Sequence, residues 1–206
     1  DSTDRSEEIL LDEAKKRNDI KIITMSRAFG VSPCVLAGME YVTCDAAVYM
    51  DADLQDPPEL ISEMMKAWRN ENADVVHTVR LSRAGESPLK LWITKLGYNI
   101  LHYLTDMNLP LDAGDFKLLS RRVVDQVIRL REKKPFMRGL VCWVGFKQVK
   151  VYYHREARFA GETKFPILSR KVIRNFLDSA MISFSDLPLQ FSLVVGLFVS
   201  FCALLM

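Results

Sequence analysis

The 206-residue chain holds three histidines and four cysteines, and neither kind is grouped. Cys34, Cys44, Cys142 and Cys202 show no Cys-x-x-Cys spacing, and His77, His102 and His154 are scattered away from them. That argues against a structural zinc site and against a disulfide-stapled scaffold. The thiols stand in apolar stretches and are expected to be reduced and buried, in a reducing compartment. An excess of one charge is also missing. The chain has 28 basic and 26 acidic residues, for a net charge of +2, which argues against a dedicated nucleic-acid binder. Low-complexity linkers and internal repeats are absent, and 49% of residues are hydrophobic, so neither disorder nor a fibrous repeat fits. One absence is local. Residues 187–206 contain no charge at all, and fifteen of these twenty are apolar.

An uncharged apolar run of that length would rise about 30 Å as a helix, roughly one hydrocarbon thickness. It is expected to begin a transmembrane region, the alternative being a buried core helix. Lys164, Arg170, Lys171 and Arg174 precede it, as suits the cytoplasmic side of a bilayer. Between them Phe165, Ile167, Leu168, Val172, Ile173, Phe176, Leu177 and Met181 recur at helical spacing. That predicts an amphipathic helix lying on a membrane or packed on the globular body. The chain opens on Asp1-Ser2-Thr3-Asp4 and stops while still apolar. A first strand is expected ahead of it, and more membrane segment after it.

The body alternates strand and helix. Helices are predicted over 6–17 (capped by Ser2 or Thr3), 32–42, from Pro57-Pro58-Glu59 to 70, and over 87–105, 121–130 and 136–141. Extended runs fall at 20–25, 46–50, 74–79, 116–119 and 148–153. This order predicts a mostly parallel sheet covered on both faces, with ligands at the carboxyl ends of its strands.

The most informative stretch is Tyr49-Met50-Asp51-Ala52-Asp53-Leu54-Gln55-Asp56-Pro57-Pro58-Glu59. A strand ends and at once presents Asp51 and Asp53. Alternate residues of an extended chain point the same way, so both carboxylates can reach one hard cation such as Mg²⁺ or Mn²⁺, whose shell a substrate phosphate would share. An EF-hand loop would need glycine where Asp56 stands. A solvated turn capping the next helix suits Asp56 itself. An aspartyl phosphotransferase also uses Asp-x-Asp after a strand, but leaves the later motifs unexplained.

Those motifs make the pattern specific. Asp51-Ala52-Asp53-Leu54-Gln55-Asp56-Pro57 resembles the Asp-x-Asp signature of the inverting, GT-A fold, family 2 glycosyltransferases, and more narrowly their polyprenyl-phosphate branch, the bactoprenol glucosyltransferases and dolichyl-phosphate mannose synthases. Ser2-Thr3-Asp4-Arg5-Ser6 resembles the tail of an early aspartate-rich element of that family. Arg27-Ala28-Phe29-Gly30 with Ala37-Gly38 resembles its Arg-Asn-x-Gly-Lys stretch, although Ala28 and Val31 replace asparagine and lysine. Asp112-Ala113-Gly114-Asp115-Phe116-Lys117-Leu118 resembles its Gly-Asp-Phe-Arg-Leu block. Phe136-Met137-Arg138-Gly139, Trp143-Val144-Gly145-Phe146 and the stretch from Arg158 to Phe165 match later blocks.

The resemblance implies a GT-A domain (Rossmann-like, α/β, a mostly parallel sheet flanked by helices) over 1–163. A juxtamembrane helix over 164–186 and the start of a transmembrane region over 187–206 would follow. It implies Asp53 as principal metal ligand and Asp51 beside the donor, with Ser2, Asp4 and Gln55 as further donor contacts and Asp115 as catalytic base. A lipid phosphate is already largely ionised near neutral pH, so Asp115 can instead orient the acceptor or take its residual proton. Asp112 is the competing carboxylate. Arg80, Arg83, Arg138, Arg158 and Lys164 are candidates for the acceptor phosphate, to which arginine's planar fork is suited. Trp143 and Phe146 are expected to be packing residues.

The expected activity is transfer of a hexose from a nucleotide diphosphate sugar to a polyprenyl phosphate, with Mg²⁺ or Mn²⁺, at a membrane and on its cytoplasmic face. Glucose from UDP-glucose onto undecaprenyl phosphate is favoured over mannose from GDP-mannose onto dolichyl phosphate. A catalytically silent nucleotide-sugar-binding protein and a glycosyltransferase with a soluble acceptor are the rival classes. A homo-oligomer is compatible with the sequence.

Overall fold

The computed structural model describes residues 4–53, 55–81, 113–133, 135–154 and 187–205. The chain divides into two units, Asp1–Thr43 and Cys44–Met206. The helix expected over 87–105 and the amphipathic helix expected over 164–186 lie outside the described residues.

In the first unit, α1 (Ser6–Lys16) carries Glu7 and Glu8 in its first turn and Lys15 and Lys16 in its last, the arrangement that complements the helix dipole. Asp4 Oδ1 accepts the Ser6 backbone N–H at 3.0 Å; the expected caps Ser2 and Thr3 lie outside the described residues. A second helix, α2 (Val31–Glu40), is entered through Gly30 at φ 96°. That left-handed backbone favours glycine and gives the glycine of the Arg27–Gly30 stretch a physical reason. Residues 20–25, expected to be a strand, are irregular. Among the described residues no strand pairs with them, and an extended run without a ladder partner has no backbone bonds to hold it.

Among the described residues the second unit is built on a four-stranded sheet of β1 (Ala46–Tyr49), β2 (Val75–Arg80), β3 (Ala113–Ser120) and β4 (Gln148–Tyr153), in the order β1-β3-β2-β4. β2 and β4 are parallel, but β3 runs antiparallel to both β1 and β2. The sheet is therefore mixed. Three strands share a direction, as expected, yet β3 is inserted between two of them with the opposite sense.

One face is covered by α3 (Leu60–Asn70), whose Leu60, Met64 and Ala67 recur at helical spacing and pack with Val76, Phe116, Leu118 and Tyr153. Burying one large apolar side chain of this kind contributes about 1.5–3 kcal/mol. Alternate strand residues Val75 and Leu119 point the other way and are fully buried. So are Val123, Val124 and Val127 of α4 (Arg121–Arg129) and Leu140 and Val141 of α5 (Met137–Trp143). Ser120 caps α4, accepting the Val123 N–H at 3.4 Å. At this end of the sheet Asp74 is a brace. Its carboxylate accepts from Ser120 Oγ at 3.0 Å, from Arg122 Nε at 3.1 Å and from the Lys147 N–H at 3.4 Å.

Three expectations are corrected. The thiols are not all buried: Cys34, Cys44 and Cys202 are exposed, and all four are free. Cys44, for instance, sits in the turn before β1, where its Sγ donates to the Ala46 carbonyl at 3.0 Å. Trp143 and Phe146 are exposed too, with the Arg122 guanidinium stacked 4.4 Å from the Phe146 ring. Asp56 does not serve as a cap, because α3 is entered with no side-chain cap. The apolar C-terminal run does form a helix, α6 (Leu187–Leu204), and Leu189, Phe191, Leu193, Phe198 and Phe201 on it are exposed. Its 18 residues rise about 27 Å at 1.5 Å per residue; among the described residues no helix is long and apolar enough to cross a membrane.

Candidate active site

Because β3 is antiparallel, its start lies beside the ends of β1, β2 and β4. Tyr49 pairs with Lys117, Val79 with Ala113, and Arg80 with Tyr153. Residues distant in sequence therefore meet at one edge of the sheet.

Just past β1, Asp53 Oδ1 accepts the Gln55 backbone N–H at 3.2 Å. This local turn fixes the direction of the carboxylate. Asp51, Asp53 and Gln55 are half-buried. Among the described residues no group of three or more His, Cys, Asp or Glu side chains converges on a metal position. Two carboxylates nonetheless fit a Mg²⁺-type ion, which keeps several waters and shares its shell with substrate phosphates. Asp51 and Asp53 are the residues that would hold it.

Asp115 and Arg138 are brought together from β3 and the first turn of α5. Arg138 donates from Nε to Asp115 Oδ1 at 2.8 Å and from Nη2 to Oδ2 at 2.6 Å, a bidentate pair. Burial alone would push the Asp115 carboxyl up. The two bonds from Arg138, with the charges of Arg138, Lys117 and Arg80, outweigh it and hold the carboxyl below its ordinary value. Asp115 is thus a carboxylate at neutral pH and a weak base.

Behind the pair lies a polar row across the sheet, Tyr49, Lys117, His77 and Lys150, in direct register. Lys117 is 1% exposed and donates to the Gly114 carbonyl at 2.6 Å. Burial and the neighbouring charge of Arg138 lower its pKa to about 8. The Tyr49 hydroxyl is buried without a hydrogen-bond partner, and its pKa is raised by burial and by the charges of Asp115 and Asp51, with Arg138 opposing. Asp51 and Asp115 therefore act on one phenol. His77 Nε2 bonds Gln148 Oε1 at 2.7 Å, while the Gln148 amide nitrogen donates to the Gly145 carbonyl at 3.1 Å. The Gln148 oxygen must accept, so His77 carries its proton on Nε2.

Arg80 ends β2. Its Nε donates to the Tyr153 hydroxyl at 3.4 Å, and Tyr153 in turn donates to Asp56, which is 1% exposed.

Of the residues expected from sequence, the structure thus gathers Asp51, Asp53, Gln55, Asp115, Arg80 and Arg138 at the strand ends. Asp4 is exposed in the first unit at the start of α1. Ser2, Arg83, Asp112, Arg158 and Lys164 lie outside the described residues. Sequence reasoning passed over Lys117, Tyr49 and Tyr153. The period-two rule would have put Lys117 on the same face as Asp115, whereas the Tyr153–Asp56 contact joins residues 97 apart and has no local signature.

Residues 1–128 match the family described as Glycosyl transferase family 2. An uncharacterized glycosyltransferase of Bacillus subtilis, YkcC, is 45% identical over 97% of this chain and 60% of its own length. Another from Synechocystis, sll0501, is 38% identical over 98% of this chain and 63% of its own. A prophage bactoprenol glucosyl transferase homolog of Escherichia coli is 34% identical over 86% of this chain and 57% of its own. The chain therefore spans about three fifths of the length of these relatives. A solved glucosyl-3-phosphoglycerate synthase from Mycobacterium tuberculosis aligns with 87% of this chain and 66% of its own, with a TM-score of 0.47 and 16% identity, too loose a likeness to argue from. The mixed α/β sheet with its acidic turn at the strand ends is GT-A-like, and by the match over its first 128 residues the chain belongs to glycosyl transferase family 2.

Proposed function

We propose that this chain is the catalytic part of an inverting glycosyltransferase that moves glucose from UDP-glucose to a polyprenyl phosphate, undecaprenyl phosphate being favoured. One observation carries the reading: Tyr49, two residues before Asp51, pairs across the sheet with Lys117, two residues after Asp115, and Arg138 grips Asp115, so the acidic turn and the Asp115–Arg138 pair adjoin. A site for a leaving diphosphate thus adjoins a site for an incoming phosphate. The relatives named bactoprenol glucosyl transferases, at 33–34% identity, support the choice of sugar and lipid.

In this reading Asp51 and Asp53 hold Mg²⁺ or Mn²⁺, which would neutralise the leaving diphosphate. Gln55 contacts the donor. Arg138 and Arg80 bind the acceptor phosphate, with Arg83, Arg158 and Lys164 as further candidates. A phosphate oxygen attacks the anomeric carbon from the face opposite the diphosphate, whose C–O bond breaks with inversion. Asp115 fixes the Arg138 fork and receives the residual phosphate proton where one remains. The low pKa of Asp115 suits an acceptor already ionised, because an alcohol acceptor would need a stronger base. The exposed apolar surface of α6 supports a site beside the cytoplasmic face of a membrane.

Membranes carrying the full-length protein, given radiolabelled UDP-glucose and undecaprenyl phosphate, test the reading. Label should pass to the lipid. Transfer from GDP-mannose alone would replace glucose by mannose, and no transfer to any lipid phosphate would overturn the proposal. Undiminished activity in a chain ending at Asp186 would overturn the membrane placement.

A further inference from the structure

Arg80 ends its strand in surroundings that fix its direction from two sides. The Tyr153 hydroxyl has one proton, and the Asp56 carboxylate can only accept, so that proton goes to Asp56. The lone pairs of the hydroxyl are then left to accept the Arg80 Nε–H, at 3.4 Å. On the other side stands Gly114, one residue before Asp115. A Cβ there would lie 3.0 Å from Arg80 Nη2 and 3.6 Å from both Cζ and Nε. No positive φ demands glycine at this position, so the room it leaves is room for the guanidinium. The register agrees, since Arg80 pairs directly with Tyr153 across the parallel ladder. Asp56 follows Asp53 by three residues in the acidic turn. The contact therefore ties the turn that would bind the donor to an arginine proposed for the acceptor.

We propose that Tyr153, oriented by Asp56, and the bare backbone of Gly114 are positioning elements that aim the outer nitrogens of Arg80 at the acceptor's phosphate. This rests on the reading of Arg80 as a phosphate-binding residue. The Tyr153 ring is buried in the core beside α3, and burial with the Asp56 bond raises its pKa, so the phenol keeps its proton. Tyr153→Phe removes the hydroxyl and leaves the ring. Gly114→Ala crowds the guanidinium from the opposite side without touching Tyr153.

The test uses the full-length enzyme in membranes with UDP-glucose and undecaprenyl phosphate, and measures KM for each. Either variant should raise KM for the lipid phosphate about tenfold, the loss of one charge-assisted bond. KM for UDP-glucose should change by less than about twofold in the same assays. An unchanged lipid KM in Tyr153→Phe, or equal rises for both substrates, would overturn the proposal. A second reading does not depend on transfer. The Arg80 Nε–H resonance in ¹⁵N-arginine-labelled protein, assigned through Arg80→Lys, should move in Tyr153→Phe. If the wild type transfers nothing to the lipid, the assigned reaction fails while this resonance still judges the contact. A resonance that stays in place overturns it.

Discussion

Arg138 grips Asp115 with two nitrogens, Nε at 2.8 Å and Nη2 at 2.6 Å, across 23 residues of sequence. The pair determines the charge at the centre of the site. Arg138 keeps its charge throughout, and its two bonds help hold the Asp115 carboxyl below its ordinary value.

The carboxyl of Asp115 is held below its ordinary value: burial opposes the charge, and the Arg138 bonds prevail. A carboxyl depressed in the folded state adds stability above its unfolded pKa and loses it as pH falls through the folded one. Asp115→Asn is therefore expected to lower the unfolding free energy at pH 7 by about 1–3 kcal/mol. The difference from wild type should close as the pH drops below about 4. Urea unfolding at pH 7 and pH 3 checks this; an equal deficit at both would remove the ionic explanation.

Chelation should abolish sugar transfer, and Mg²⁺ or Mn²⁺ should restore it. Asp53→Ala is expected to reduce turnover by about 10²–10³, as for loss of one preorganised charge-stabilising group, and added metal should not rescue it. Turnover that is indifferent to both chelation and Asp53→Ala would remove the metal from the proposed chemistry.

His77 is buried, and burial with the charge of Lys117 lowers its pKa to about 4. The unfolded chain binds this proton near pH 6.5. Stability should therefore be complete above about pH 6.5 and fall as the pH drops through about 4. His77→Gln keeps a donor for Gln148 and cannot titrate, so its melting temperature should fall less steeply between pH 7 and 4.5. Parallel curves would mean that His77 does not carry this dependence.

Lys117 gives the opposite limb. Burial lowers its pKa to about 8, against about 10.4 unfolded. The unfolded chain binds the proton more tightly, so the folded state gains relative stability as pH rises through that window. Lys117→Met should lack the gain. Denaturant midpoints at pH 7.5 and pH 10 report it, and a gain retained in the variant would assign the effect to another group.

The sequence displayed what local pattern can carry. The acidic turn after β1 and the short helix that bears Arg138 were visible from residue type and spacing, whereas the Ser120 cap emerged only from the structure. The direction of β3 was not, because an extended run reads alike in either sense and its pairing is set by partners dozens of residues away. Asp56 shows the same limit. Cap grammar assigned it to the next helix, whereas the fold delivers Tyr153 to it. Lys117 was a different failure: it stood two places from Asp115, and its burial could have been anticipated from alternation. The C-terminal run was read as a helix, and it is one over Leu187–Leu204.

The reversed central strand has a consequence for how the protein is made. β1 and β2 leave the ribosome before β3, which among the described residues stands between them in the sheet. Until residues 113–120 emerge, the ladder that joins these two strands cannot form. The strand that joins β1 to β2 also delivers Asp115, so that carboxylate takes its place beside the end of β1 only as the two earlier strands are joined.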